Sequence, residues 1–291
     1  MKRFDYYAPG SLSEAISILQ ERGDSGMLLA GGTDLLVQMK EAGLRPSYVV
    51  SLRRLPGLRG IDFDEGRDLR IGACADMAAI EAHHAVRQRY RALFEGASLI
   101  GSVQIRNMAT IGGNICNAAP SADTAPPLIV LDAVAEVEGP GGGREMAVEE
   151  FFTGPGATAL DPREILVALR LPVPPPRTGS VYQRHTPRQE MDIAVVGVGV
   201  ALTLRPDGEA IQRAGICLGA VAPTPIRARE AEDALTGQRP SEDLFARAAE
   251  LAVAASRPIS DVRGSAAFRR ELVRVMTRRC LGIALKRAQA S

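Results

Sequence analysis

The chain has 291 residues, of which 46% are apolar and 24% are charged, and its formal net charge is +1. These values are typical of a folded globular protein, and the length predicts about two compact units. No basic stretch is interleaved with aromatic residues, so the composition does not favour nucleic-acid binding. No run approaches the ~18 apolar residues of a membrane span and the N-terminus lacks a signal-peptide core, so we expect a cytoplasmic protein without a membrane span.

The first predicted elements are helices alternating with short strands. The run Ser11-Leu12-Ser13-Glu14 has the form of a capping box and marks the start of the first helix. Apolar residues at Leu35, Leu36 and Met39 follow a helical period after a glycine-rich turn. The predicted elements are a helix over 12–22, a strand over 27–30, a helix over 34–42 and a strand over 48–52.

The middle of the chain predicts strands, helices and one hairpin, whose turn is the glycine-rich run at 139–143. The predicted elements are a strand over 69–73, helices over 77–86 and 91–99, an apolar segment over 123–131, strands over 133–137 and 164–171, and a short helix or turn over 148–152. The proline-rich run at 172–176 predicts a stiff extended linker, and we place the main domain boundary there.

The C-terminal third reads as a separate α+β unit. Basic residues near its end lie on a helical pattern, which favours a solvated or subunit-facing helix surface. The predicted elements are strands over 195–204 and 214–221 and helices over 230–235, 244–255 and 266–288.

Two glycine-rich runs are the most informative feature of the chain. They are Ala30-Gly31-Gly32-Thr33-Asp34 and Thr110-Ile111-Gly112-Gly113-Asn114. A turn without Cβ atoms can present bare backbone N–H groups to a phosphate, although each run alone could be an ordinary tight turn. Because two such turns occur together, with Asn117, Ser121 and Asp123 downstream of the second, the sequence favours a bound dinucleotide.

Two common nucleotide motifs are missing from the sequence. The run Gly197-Val198-Gly199 lacks the third glycine of a Gly-x-Gly-x-x-Gly motif and lies inside a predicted strand. No Gly-x-x-x-x-Gly-Lys-Ser/Thr loop is present either. The sequence therefore supports neither a Rossmann nor a P-loop protein.

Three motifs together resemble the FAD-binding medium subunit of molybdenum hydroxylases, the family of xanthine dehydrogenase and aerobic carbon monoxide dehydrogenase. They are the first glycine run extended to Leu36, the run over 110–123 and Met191-Asp192-Ile193-Ala194. The resemblance spans essentially the whole chain. It implies an α+β fold with a two-lobed PCMH-type FAD-binding domain over 1–175, whose lobes of about 1–58 and 59–175 hold a small parallel sheet and an antiparallel sheet. A C-terminal α+β domain over 176–291, with a three-stranded antiparallel sheet and helices, is implied to follow.

The resemblance also implies a set of FAD-binding residues. The two glycine runs should wrap the diphosphate and ribityl chain, Asp123 should accept a hydrogen bond from the cofactor, and Ile100 and the backbone near Leu166 should lie against the flavin. The implied residues are Leu28, Leu29, Ala30, Gly31, Gly32, Thr33, Asp34, Leu35, Ile100, Thr110, Ile111, Gly112, Gly113, Asn114, Asp123, Leu166 and Arg184.

Two of these residues have a second interpretation. Arg184 stands where the family commonly has a lysine near the flavin, and we hypothesise that it stabilises the negative charge of the reduced flavin; the alternative is a surface cation beside the linker. Asp34 is either a cofactor ligand or the N-terminal cap of its helix, and both roles can coexist.

The remaining candidates point to no metal and no catalytic residue in this chain. The adjacent His83 and His84 are typical of a polar helix face rather than a metal site. His185 lies near the expected flavin edge, but an electron relay needs no general base. The cysteines have no Cys-x-x-Cys spacing, so we expect buried free thiols rather than an iron–sulfur or zinc site; they are Cys74, Cys116, Cys217 and Cys280.

The resemblance implies that FAD here receives electrons from two [2Fe-2S] clusters of a small partner subunit. A large subunit with the molybdenum cofactor would carry out substrate hydroxylation, in a dimer of heterotrimers, and the FAD would reduce NAD+, a quinone or another acceptor. Two alternatives stay open: a stand-alone FAD-dependent oxidoreductase of the same fold, or a non-catalytic nucleotide-binding module.

Overall fold

The computed structural model describes residues 2–188 and 191–291. Its N-terminal elements are β1 (Asp5–Tyr7), α1 (Leu12–Arg22), β2 (Gly26–Leu29), α2 (Leu35–Glu41) and β3 (Tyr48–Ser51). The three strands form a parallel sheet in the order β1-β3-β2. Helices join them because parallel neighbours need a crossover connection. The sequence patterns predicted all these elements except β1, which is three residues long and exposed at Asp5 and Tyr6.

Helix α1 begins at the predicted capping box. The Ser11 hydroxyl accepts a hydrogen bond from the Glu14 N–H at 3.1 Å, and the Glu14 carboxylate accepts one from the Gly10 N–H at 2.8 Å. Gly23 ends the helix with a positive φ of 70°, which glycine adopts without steric cost. The predicted helix over 12–22 is confirmed.

The middle of the chain forms a five-stranded antiparallel sheet covered by short helices. Its elements are β4 (Ile61–Asp64), β5 (Asp68–Gly72), α3 (Met77–Ala82), α4 (His84–Arg89), α5 (Arg91–Ser98), α6 (Val103–Arg106), α7 (Ile111–Asn117), α8 (Ala125–Val130), β6 (Val134–Gly139), β7 (Gly142–Ala147), β8 (Phe152–Gly154), β9 (Ala157–Thr158) and β10 (Ile165–Pro172). The strand order is β4-β5-β10-β6-β7, and β8 and β9 form a separate small ribbon. Leu69, Ile71, Leu128 and Leu169 are fully buried in the core shared by sheet and helices.

The predicted helix over 77–86 is wrong, because the structure divides it into α3 and α4 at His83. His83 has an extended backbone, with φ −68° and ψ 125°. Ile80 and Val86 are both fully buried. Six residues along a straight helix turn the side chain by about 240°, so one continuous helix could not bury both of them on one face. The break at His83 allows both to enter the same core.

The C-terminal part forms a second antiparallel sheet with helices on one face. Its elements are β11 (Thr178–His185), β12 (Val196–Leu204), β13 (Ile211–Gly219), β14 (Ile226–Arg227), α9 (Arg229–Leu235), α10 (Glu242–Ala255) and α11 (Ala266–Ala290). The strand order is β11-β12-β13-β14. Three long strands agree with the expected three-stranded sheet, and the two-residue β14 adds a fourth that was not predicted.

The other face of this sheet packs against α8 through glycines. A Cβ at Gly199 would lie 3.0 Å from the carbonyl carbon of Pro126, and one at Gly219 would lie 3.1 Å from its ring. Gly197 is paired with Gly219 in the ladder, so these glycines share one face. The run at 197–199 is therefore a packing surface.

Among the described residues, no helix combines the length and apolar character that crossing a bilayer requires.

Candidate functional site

A cavity of about 1020 Å3 lies between the three-stranded and five-stranded sheets and reaches the four-stranded sheet at Arg184. Small-molecule sites usually measure roughly 300–1,000 Å3, so this cavity is at the upper end of that range. Its walls include the first glycine turn, the start of α7, the loop at 160–162 and residues 191–193. The shape and size fit a ligand as long as a dinucleotide.

The structure brings most of the predicted site residues to this cavity. Two of them do not line it: Leu29 is half-buried at the end of β2, and Ile111 is fully buried in the core. The predicted residues that line the cavity are Leu28, Ala30, Gly31, Gly32, Thr33, Asp34, Leu35, Ile100, Thr110, Gly112, Gly113, Asn114, Asp123, Leu166 and Arg184.

The first glycine turn presents open backbone donors to the cavity. Within residues 2–188 and 191–291, the structure records no protein acceptor for the N–H groups over 31–34. Gly32 has a φ of 79°, and a Cβ at Gly31 would collide with the carbonyl oxygen of Met108. Consecutive free N–H groups on such a turn form an anion-binding nest. Asp34 makes no capping hydrogen bond to α2, so the cap alone does not account for it.

The second glycine turn differs, and the expectation that it also presents bare N–H groups is wrong. The N–H groups of Ile111 and Gly112 donate to Ala75 and Ala73 at 3.1 and 2.8 Å. The Gly113 N–H donates to the Thr110 hydroxyl at 3.1 Å, and Asn114 donates to the Thr110 carbonyl. The N–H groups of Gly113 and Asn114 are satisfied by the Thr110 cap at the start of α7, and those of Ile111 and Gly112 by the segment that follows β5. The second turn therefore presents fewer open backbone donors than the first one.

Side-chain amides extend the cavity wall beyond that turn. The Asn114 side-chain oxygen accepts a hydrogen bond from the Thr124 hydroxyl at 2.6 Å. Asn117 accepts one from the Gln38 amide at 3.2 Å, which joins α7 to α2 across the cavity. Gln38 was not predicted, because nothing in its sequence neighbourhood distinguishes it from an ordinary polar helix residue.

A buried charged cluster stands at the end of the cavity next to the four-stranded sheet. Arg184 donates to Oδ2 of Asp123, and the Tyr182 hydroxyl donates to Oδ1 at 2.7 Å. The Arg184 and Asp123 side chains are only 5% and 7% exposed. Both carboxylate oxygens are thus engaged by the protein itself. Tyr182 was missed because β11 was not predicted as a strand.

The protonation states in this cluster follow from burial and neighbouring charge. Burial raises the pKa of the Asp123 carboxyl to about 6, while the Arg184 guanidinium and the Tyr182 hydroxyl act to lower it. The contact with the Arg184 guanidinium and the hydrogen bond from Tyr182 both favour the ionised form of Asp123. Burial and the adjacent Asp123 raise the pKa of Tyr182 well above its usual value, so the phenol keeps its proton.

Cysteines and histidines occupy less central positions. Cys74, Cys217 and Cys280 are buried free thiols as predicted, but Cys116 is exposed on the cavity wall. Ile115 faces the core, and the next helical residue is turned by about 100° toward the cavity. His185 packs edge-to-face on Phe268, with ring centroids 5.8 Å apart. Among the described residues, no group of three His, Cys, Asp or Glu side chains could hold a metal ion.

The fold and the site together define a multi-sheet α+β protein whose cavity suits a phosphate-containing dinucleotide. Two family models match the chain. The model described as the FAD binding domain in molybdopterin dehydrogenase matches residues 2–174, and that of the CO dehydrogenase flavoprotein C-terminal domain matches residues 182–284.

Similar proteins agree over nearly the full length. The chain is 35% identical over 284 residues to the xanthine dehydrogenase FAD-binding subunit of Escherichia coli O157:H7, covering 97% of this chain and 96% of that protein. A structure of carbon monoxide dehydrogenase from Hydrogenophaga pseudoflava, lacking the Mo-pyranopterin moiety of its molybdenum cofactor, superimposes with a TM-score of 0.94 at 34% identity, covering 98% of both chains. Reconstituted CO dehydrogenase from Oligotropha carboxidovorans gives 0.93 at 35% identity, covering 98% and 99%.

The chain therefore belongs to the family of FAD-binding subunits of molybdenum hydroxylases, which includes the xanthine dehydrogenase FAD-binding subunit and the carbon monoxide dehydrogenase medium chain. It is an oxidoreductase subunit with an FAD-binding domain. The resemblance, the fold class and FAD as the cofactor of this chain are confirmed.

Proposed function

We propose that this chain relays electrons through FAD from [2Fe-2S] clusters of a small partner subunit to an external acceptor such as NAD+ or a quinone. The observation that carries the proposal is the nest of free N–H groups at the first glycine turn, in a cavity of dinucleotide size. Bound FAD supplies the chemistry, because a flavin exchanges electrons both singly and in pairs. The residues of the chain bind and orient it.

The first glycine turn holds the diphosphate in this proposal. The N–H groups of Gly31, Gly32 and Thr33 donate to phosphate oxygens, since they have no acceptor within the described protein. Because Gly31 has no Cβ, the turn can lie directly against the backbone at Met108. This contact fixes the position of the nest relative to the segment that carries Met108.

The second turn shapes the site by other means. Its N–H groups over 111–114 are occupied, so we assign Thr110 and Asn114 roles through their side chains and through the position of α7. Ile100 and Leu166 supply apolar wall for the flavin ring, and Arg184 lines the same cavity. Leu29 and Ile111 support the two turns from the protein side.

The wider assembly follows from the same proposal. The relatives are named as subunits or medium chains of dehydrogenases, which supports a complex of several subunits. We propose that its partners are a large molybdenum subunit and a small [2Fe-2S] subunit, in a dimer of heterotrimers. A cytoplasmic location belongs to the proposal as well.

We also propose that the chain has two domains, over 1–175 and 176–291. The first domain has lobes of about 1–58 and 59–175.

A charge placed at the first glycine turn tests the diphosphate site. Thr33 lines the cavity and is only half-buried, so its replacement need not disturb the core. We expect Thr33→Glu to weaken FAD binding at least about tenfold relative to the neutral, similarly sized Thr33→Gln, a difference of about 1.4 kcal/mol. The measurement is fluorescence titration of the apoprotein with FAD. Equal affinities for the two variants would contradict the assignment.

Reconstitution tests the relay. The purified chain should bind one FAD and show no substrate oxidation until the iron–sulfur and molybdenum subunits are added. Substrate oxidation by the chain alone would instead establish a stand-alone oxidoreductase. A chain that binds FAD and stays inactive in the complete complex would support a non-catalytic module.

A further inference from the structure

Three side chains form one hydrogen-bonded unit at the cavity wall. Tyr182 and Arg184 lie two residues apart on β11 and therefore on the same face of the four-stranded sheet. Asp123 comes from the segment between α7 and α8 and meets both of them. Asp123 and Arg184 line the cavity, whereas Tyr182 lies behind them, 3% exposed.

We propose that Asp123 offsets the positive charge of Arg184 beside the flavin, and that Tyr182 is the positioning residue that fixes this carboxylate. The pair then sets the reduction potential of FAD by presenting a balanced dipole rather than a free cation. This inference rests on the proposed function, because it needs FAD in the cavity.

The charges follow from the chemistry of the two side chains. A guanidinium remains protonated at any ordinary pH, and a buried cation without a partner is strongly disfavoured. Asp123 supplies that partner through direct ionic contact, so the two charges nearly cancel. Removing either one leaves a whole charge in a poorly solvated wall, where electrostatic interactions are several times stronger than in water.

The position of the tyrosine is built into the sheet. Tyr182 is paired with Gly199 in the ladder, and its ring extends over Gly197, where a Cβ would lie 2.5 Å from the phenol oxygen. The Tyr182 N–H also donates to Glu95 of α5 at 2.8 Å. These contacts hold the hydroxyl 2.7 Å from Asp123, whose other oxygen accepts from Arg184. The carboxylate therefore has little freedom to turn away from Arg184.

The test is the midpoint potential of FAD in the purified complex, measured from the flavin absorbance during reductive titration. Asp123→Asn should move the potential in the positive direction, because an uncompensated cation favours the more negative reduced flavin. Arg184→Gln should move it in the negative direction, by a smaller amount, since the unpaired carboxyl can take up a proton. Arg184→Lys keeps the charge, so its midpoint potential should stay close to that of the wild type.

Tyr182→Phe keeps both charges and provides the second variant. We expect a positive shift smaller than that of Asp123→Asn, because a carboxylate with one donor fewer is more easily protonated. Glu136→Gln is the control, since Glu136 pairs with Arg70 on the five-stranded sheet and does not line the cavity. It should leave the potential unchanged.

The outcomes separate this inference from the function on which it rests. Shifts of opposite sign for Asp123→Asn and Arg184→Gln support it. Shifts of the same sign, or none, in complexes that carry a full complement of FAD overturn it and leave the proposed function standing. A wild-type complex without FAD overturns both.

Discussion

The glycines of the two turns that line the cavity have different structural roles. At Gly32 the chain adopts a positive φ, and the N–H groups around it stay free. At Gly112 the backbone is helical, and the absent side chain allows α7 to lie directly on the strand end at Ala73. Identical residue pairs in the sequence therefore leave backbone donors open in one place and allow close packing in the other.

This difference predicts the effect of a methyl group at Gly112. A Cβ there would lie 2.6 Å from the Ala73 carbonyl oxygen and 2.7 Å from its Cβ. We expect Gly112→Ala to lower the free energy of unfolding by about 1–3 kcal/mol even without FAD, because overpacking displaces α7. The measurement is urea denaturation of the apoprotein.

A matched control lies in α11. An added Cβ at Gly282 meets nothing within 4 Å, and the position is helical. Gly282→Ala should raise the unfolding free energy by about 0.5–1 kcal/mol through helix propensity. Loss of stability in both variants would point to general intolerance and against the packing role of Gly112.

Among the elements, those with local signals were predictable and those fixed by partners were not. The capping box and the helical period of Leu35, Leu36 and Met39 sufficed for α1 and α2. The strand β11 was missed because it follows a proline run and contains Gly179, whose Cβ would collide with the Ala284 carbonyl oxygen of α11. Its identity as a strand depends on β12 and α11, which no local pattern reveals.

The site shows the same division. Most of the predicted site residues do line the cavity, because glycine turns leave a signature in the sequence. The occupied donors of the second turn were not predictable, since they depend on Ala73 and Ala75, over 30 residues earlier. Nor was the exposure of Cys116, which is set by the orientation of α7 in the assembled fold.

The cap of α1 gives a prediction for a whole element. Ser11→Ala removes the acceptor of the Glu14 N–H and should lower the unfolding free energy by about 1 kcal/mol. Ser13→Ala is the control, because it removes only a hydroxyl–hydroxyl contact of 3.1 Å with Ser11. Chemical denaturation followed by circular dichroism compares the two. A loss for Ser13→Ala as large as that for Ser11→Ala would argue against capping.

Across the whole molecule, ionic contacts join the four-stranded sheet and its helices to the rest. Arg229 donates to Glu149 at 2.6 Å, and Arg213 pairs with Asp132. On the opposite side, Glu95 of α5 accepts from the Tyr182 N–H at 2.8 Å and from Arg287 of α11 at 2.6 Å. These contacts fix the wall that carries Arg184 relative to the glycine turns.

The Glu95 contact predicts how strongly the parts are coupled. Glu95→Gln removes a partly buried charge-assisted pair, so we expect the unfolding free energy to fall by about 1–3 kcal/mol. Glu65→Gln, at an exposed pair with Arg89, should cost at most about 1 kcal/mol. Thermal unfolding of the apoproteins measures both. Similar effects at the two positions would show that Glu95 does not couple the sheets.

The cavity has walls from the three-, four- and five-stranded sheets, contributed by residues as far apart in the chain as 19 and 193. If FAD occupies this cavity as proposed, it contacts all of these sheets at once and stabilises their arrangement. At about a hundred times its dissociation constant it adds about 2.7 kcal/mol to stability, a large share of the ~5–15 kcal/mol typical of a folded protein. Riboflavin starvation would thus shorten the lifetime of the polypeptide, and its abundance would follow the vitamin status of the cell.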